Sequence, residues 1–461
     1  MKKWKAIIGA ISGFTYKFGF EKLFLIIILP LGITYMVISP VLSGNDDRNH
    51  FMRAYEIANG KLVTANIRGD QVGGEWDKAF NELVVKEPSY SREKENISVV
   101  YIGENEFYNY PNTALYSPIS YLPQTIGILI GKVFSASPYA LVNFARIFNF
   151  IFYVIICYVA FKLLPRFKLF FLVLMTSPAI LLSATSISAD SFLCALIFLL
   201  AALIQYMNDK KIEFSWRHGS IFAGLAILIS GCKVVYFPAI LLLFLIDKNA
   251  FKSRKSKILW CVGLVSIGVA VGVVWMKISS GILESAYPMA GEQELKILQE
   301  PFRYIGVLAR DAWGQLTGLV SNLSLGYVGN IYSGAPLYNS RLSLYKVVVW
   351  GFVILGILAL FNEKKANELS RRSKYLVWAV VLSITVLICT AIYVQWTPKV
   401  CGMLNCDKIQ GIQGRYFIPV VVIGTMVIGK PKRWTKQNWI ILLVLMLHLL
   451  TILKIVTTFS G

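Results

Sequence analysis

The stretch Ser43-Gly44-Asn45-Asp46-Asp47-Arg48-Asn49-His50 sets two carboxylates and an imidazole within about one helical turn. Carboxylates so placed can take a proton from an attacking hydroxyl, and His50, one turn on, is a further catalytic candidate. Residues 44–61 carry the marks of a capped helix, with Asn45 or Asp46 as N-cap and Gly60 at the far end. Asp46, His50 and Arg53 then share one face. An acidic pair at a helix start also caps it and offsets its dipole, so a structural role competes with the catalytic one.

The other candidates are charges inside apolar segments. Lys233 sits in Ser230-Gly231-Cys232-Lys233-Val234-Val235-Tyr236, and Arg415 in Gln413-Gly414-Arg415-Tyr416-Phe417-Ile418-Pro419. Arg146 lies just inside another apolar run. Ionisable groups at such depth are costly and face a cavity or a partner. Snorkelling to the headgroups is the alternative, expected for Arg146 and open for Lys233. Two outward cations could hold a diphosphate, Arg415 as a fork and Lys233 as a point charge, flanked by Tyr236, Gln413 and Tyr416. Asp190, in Ser186-Ile187-Ser188-Ala189-Asp190-Ser191, is expected as a helix cap, with a second acid near the cavity as the alternative.

The elements that must carry these residues are membrane helices. Of 461 residues, 56% are hydrophobic and 15% charged, and apolar runs of bilayer length recur. The runs are continuous, which excludes a β-barrel. Eleven spans are predicted: 22–43, 141–163, 168–187, 190–208, 218–234, 235–247, 257–277, 344–361, 374–396, 415–429 and 437–459. The first reads as a retained helix, since no small-residue cleavage site follows it. With the N-terminus cytoplasmic and the C-terminus outside, six inner regions hold 25 Lys and Arg, and every connection obeys the positive-inside rule. The first outer loop, 44–140, has 9 basic and 12 acidic residues, and a second large outer loop covers 278–343. Ser117–Phe134 is apolar enough to tempt a further span, but crossing would turn 20 basic residues outward, so it is expected in the interface. The result is a single all-α polytopic membrane domain over 1–461 with interfacial helices in its first loop.

The net charge of +21 falls in short loops, so it reports orientation and gives no reason to invoke nucleic acid. Cys157, Cys194, Cys232, Cys261 and Cys389 lie in apolar segments as packing residues, whereas Cys401 and Cys406 share a polar loop and could pair if it is extracytoplasmic. No metal-type spacing of Cys and His, no nucleotide motif and no mid-span acid are present, the last counting against a proton-coupled pump. No inverted repeat stands out.

These residues together resemble the bacterial domain-of-unknown-function family 2142, which groups with the GT-C glycosyltransferases. The similar stretches are Asp46–His50, Tyr116–Pro123, Ser186–Asp190, Lys233–Tyr236, Gly326–Gly329 leading to Pro336, and Gln413–Tyr416. Asp47 stands where the family pattern has Glu. The resemblance implies a GT-C-like fold in a bacterial cell membrane, a polyprenyl-phosphate-linked sugar donor, an envelope glycan acceptor and inversion at the anomeric carbon. It also implies an acidic base in the first loop, Asp46 being favoured. No cofactor is assigned, and a divalent cation is left open. A transporter or flippase of lipid-linked sugars is the competing class, and a structural role in an envelope complex a third.

Overall fold

The computed structural model describes residues 19–44, 46–64, 66–83, 88–317, 346–362, 369–428 and 437–460. Six helices among them are long and apolar enough to cross a membrane: Phe20–Ile38, Pro138–Leu163, Asp190–Lys210, Arg254–Ile278, Arg371–Cys401 and Asn438–Phe459. Helix is the only open-chain conformation that satisfies its own backbone in hydrocarbon. A seventh crossing is available if the pair Lys168–Met175 and Pro178–Thr185, bent by 55°, counts as one. Pro178 opens the second piece, where its missing N–H costs nothing but the preceding helix must stop.

The remaining four expected spans fall on shorter helices: Trp216–Cys232, Val234–Leu245, Val347–Leu360 and Gly414–Val427. Val234–Leu245 winds as a 3-10 helix with Pro238 inside it, and at roughly 2 Å per residue its 12 residues reach about 24 Å. The first helix stops at Ile38, short of residue 43, because Pro40 drives Ser39 into extended backbone. Asp190–Lys210 is the axis of the bundle. Its apolar window is 78% buried, and Pro138–Leu163, Trp216–Cys232 and Ile418–Gly424 pack around it.

Helix ends inside this bundle need polar partners. Arg146 is 3% exposed and donates to the carbonyls of Thr185, Met36 and Ser39, so it ties the ends of two helices together. Snorkelling, expected from the sequence, does not occur: the side chain turns inward because three orphan carbonyls lie within its reach. Asn149 likewise donates to the carbonyls of Ser183, Ala184 and Ser186.

The first loop is more structured than its composition announces. An antiparallel sheet of Asn66–Arg68, Gln71–Asp77 and Asn105–Asn109 flanks the Asp47–Ala58 helix. Within 117–134 a 3-10 turn, Pro118–Tyr121, leads into the helix Leu122–Val133, whose 12 residues reach about 18 Å and fall short of a bilayer core. That helix lies against Pro138–Leu163, where a Cβ on Gly127 would meet the Phe144 carbonyl at 2.4 Å. The second loop carries Ser280–Ala286, Ala290–Gln299 and Pro301–Thr317, and the stretch Gly326–Pro336 lies outside the described residues. Cys401 and Cys406 are disulfide-bonded, and the other five cysteines are buried.

Arg146→Met keeps the length and apolar stem but strands three buried carbonyls, each costing about 1–3 kcal/mol. Thermal unfolding in detergent is expected to begin well below the parent temperature; an unchanged melting curve would refute this account of Arg146.

Candidate functional site

Asp190 occupies the first position of the central helix, with Ala189 as N-cap. Its carboxylate therefore does not cap the helix, as the sequence suggested. Oδ1 lies 2.5 Å from Lys233 Nζ and Oδ2 3.0 Å from Arg415 Nε, with all three side chains at most 14% exposed. Local backbone favours two of the three charges. An anion is stabilised at the helix N-terminus, and Lys233 is the C-cap of Trp216–Cys232, where a cation is stabilised. Arg415 sits in the 3-10 turn Gly414–Phe417 that opens the next apolar helix.

Aromatic rings complete the enclosure. Lys233 Nζ is 5.2 Å from the Tyr116 ring centre and 4.9 Å from that of Tyr416, within cation–π range. The Arg415 guanidinium is 5.6 Å from the Tyr416 ring. Tyr236 donates to the Tyr416 carbonyl at 2.7 Å, which binds the Lys233 segment to the Arg415 segment. Ser117 and Ser120 donate to the carbonyls of Gly231 and Cys232, so the first loop clasps the helix end that presents Lys233. Gln413 precedes the Arg415 turn, and its Oε1 is buried with no hydrogen-bond partner among the described residues.

The first-loop acids enter from the other side. Asp46 takes the N-cap position of Asp47–Ala58 in left-handed backbone (φ 63°) yet makes no side-chain capping bond. Asn112 donates to its Oδ1 at 3.0 Å, and Asn49 donates to Asn112 Oδ1 at 2.7 Å. Burial raises the Asp46 pKa, and Arg415 is the strongest charge opposing that rise. Asp47 turns back to accept from the Gly44 N–H at 3.1 Å. Burial pushes it up to about 7 against the pull of Arg146. His50 Nδ1 pairs with the Tyr121 hydroxyl at 2.7 Å, and burial pushes it down to about 3, so the ring is neutral at physiological pH. Asp46 and His50 both feel the fields of Asp190, Lys233 and Arg415.

The structure thus gathers Asp46, His50, Asp190, Lys233, Arg415, Tyr236, Gln413 and Tyr416 into one neighbourhood. Arg53, expected on the same face as His50, is buried against Glu56 at 2.6 Å and the carbonyls of Leu62 and Tyr116, where it fixes the loop. Asn112 and Tyr121 have no distinguishing local signal in the sequence, since each acts on a residue 66 or 71 positions away. Among the described residues no three His, Cys, Asp or Glu side chains gather in a metal-type cluster.

A bundle of apolar helices closed at one end by buried ion pairs and a folded loop defines a polytopic helical membrane protein. The family described as "Predicted membrane protein (DUF2142)" matches residues 29–424, so this chain belongs to that family, and every site residue above falls inside the match. No curated protein and no solved structure matches the chain.

The Asp47 environment has a measurable consequence. Its folded pKa, about 7, exceeds its ordinary 3.8, so the folded chain binds the proton more tightly than the unfolded one. Its stabilising contribution is full below the ordinary value and is lost as pH rises through the folded one. Between pH 5 and 8, unfolding midpoints should fall less steeply with pH for Asp47→Asn than for the parent; identical slopes would show that Asp47 is ionised in the fold.

Proposed function

We propose that the chain is a GT-C-type membrane glycosyltransferase that moves a sugar from a polyprenyl-phosphate donor to a cell-envelope glycan. The observation that carries this reading is the convergence of a buried first-loop carboxylate with the Asp190–Lys233–Arg415 cluster. With Asp190 ionised and both cations charged, the triad holds one net positive charge. A sugar phosphodiester carries one negative charge, so the cluster matches it without stranding either cation.

In the proposed reaction the acceptor hydroxyl oxygen bonds to the anomeric carbon as the bond from that carbon to the phosphate oxygen breaks. The electron pair leaves with the phosphate, whose charge grows from one to two, and Lys233 and Arg415 stabilise that growth. The hydroxyl proton passes to Asp46, whose raised pKa suits a general base better than an ordinary carboxylate would. Asp47 is the poorer candidate, since its carboxylate is committed to the Gly44 N–H. Tyr116 and Tyr416 supply flat apolar faces beside the reacting centre.

The reading requires eleven crossings, with the site on the extracytoplasmic side of a bacterial membrane and the N-terminus inside. Charge asymmetry supports that orientation, and so does a disulfide at Cys401–Cys406, which suits an oxidising compartment. Membrane-impermeant thiol reagents on intact cells should label a cysteine placed in 66–83 and spare one placed in 369–374. The reverse pattern would put the site on the wrong side for such a donor.

Activity separates the transferase from a flippase of lipid-linked sugars. Purified protein in liposomes should consume a polyprenyl-phosphate sugar; relocation without consumption would sink the transferase. Asp46→Asn should lower turnover by about two orders of magnitude or more, with membrane insertion preserved. Arg415→Lys keeps the charge but loses the planar fork, and is expected to slow transfer severely. Parent rates in both variants would show the cluster to be structural only.

A further inference from the structure

Four hydrogen bonds fix the segment Tyr90–Ile102 to the ends of two membrane helices. The Tyr90 hydroxyl donates to the carbonyl of Ile38, the last residue of the first helix, at 2.9 Å. The Val41 N–H donates to the Glu93 carboxylate at 3.1 Å, and Tyr139, in the first turn of Pro138–Leu163, donates to the same carboxylate at 2.9 Å. Tyr101 donates to the Ala136 carbonyl at 3.3 Å, two residues before that helix begins. The segment therefore sits at the level where both helices leave the apolar core.

At that level the chain turns large apolar side chains outward. Val100 is 70% exposed, Val133 80% and Phe134 71%, and Ile97, Tyr101 and Ile102 are exposed beside them. Single exposed apolar residues are ordinary, but six brought to one place by the Tyr101–Ala136 contact form a patch that marks an interaction surface. The patch continues onto Pro138–Leu163, where Ile147, Ile151, Ile155 and Val159 are exposed at a spacing of four, the stripe of a helix facing lipid. Lys94 lies nearby in sequence, and its long stem can reach the headgroups while the apolar side chains go deeper; Arg92 pairs with Glu95, and Lys132 donates to Asn59.

We propose that the turn Ile97–Ile102 and the helix end Val133–Phe134 insert into the leaflet on the side of the first loop, with lipid as their partner. Insertion fixes the height of the candidate site. Tyr101 packs on Phe80, which packs on Phe51 and Tyr55 of the helix headed by Asp46 and Asp47. A lipid anchor at Tyr101 thus sets the level of the acids above the bilayer. The inference stands whether or not the chain transfers sugars.

Nitroxide labels on Val100→Cys, Ile102→Cys and Phe134→Cys, with Asp70→Cys as an exposed control, test it in lipid bilayers by power-saturation spin resonance. The five unpaired native cysteines are buried and the other two are bonded, so the unsubstituted chain supplies the background. Collisions with oxygen should exceed those with a water-soluble nickel chelate at 100, 102 and 134, with the order reversed at 70. A preference for the chelate at 100 and 102 overturns the inserted turn. Shielding from both reagents at those positions also overturns it, by placing a protein surface there. Melting curves equal to the parent's would show that the surface substitutions leave the fold intact.

Discussion

The double ion pair of Asp190 is the constraint on which the rest of the site depends. One carboxylate holds a lysine at the end of one helix and an arginine in the turn before another, and all three are nearly buried. Two cations alone at that depth would repel each other and lose their hydration; one anion between them removes most of both penalties. Helix dipoles assist, since the anion sits at an N-terminus and the lysine at a C-terminus. Such a pair adds little net stability over apolar packing. Its value is that Asp190–Lys210, Trp216–Cys232 and the Gly414–Phe417 turn meet in one arrangement.

Around this pair the first loop behaves as part of the membrane domain. Its serines satisfy the carbonyls that would otherwise be orphaned at the lysine end, Arg53 pins its backbone at Tyr116, and Asp46 faces the same charges. Burial then divides two neighbouring carboxylates. Asp46 is held by Asn112 within the field of the cations, while Asp47 folds back on Gly44 in a place where its charged form is disfavoured up to about pH 7. Adjacent residues of one type have become chemically unequal because Asp46 feels all three charges of the cluster, whereas Asp47 feels Arg146 more strongly than Arg415.

The apolar runs were legible because helix in a bilayer is dictated locally: each of the eleven is helical over most of its described residues, and even the bend at Pro178 was present as a proline. The inference that residues 117–134 do not cross alone also came from charge counting, and the 12-residue helix there is too short to do so. Small strands such as Asn66–Arg68 were not legible, since Asn66, Ile67 and Arg68 are too few to carry a period, and the close approach of Gly73 to the Tyr108 carbonyl, which joins the other two strands of that sheet, appears only in the fold.

By itself the sequence determined that this is a helical membrane protein, and it named the chemically capable residues, since composition, spacing and depth are local properties. It could not decide what each charge does. Asp190 reads as a cap and Arg146 as a snorkelling cation because local patterns contain no partner. Tertiary structure supplied Lys233 and Arg415 for the first, and three helix-end carbonyls for the second. A charge's role is set by what lies within a few ångströms of it, and those neighbours come from parts of the chain that only folding brings near.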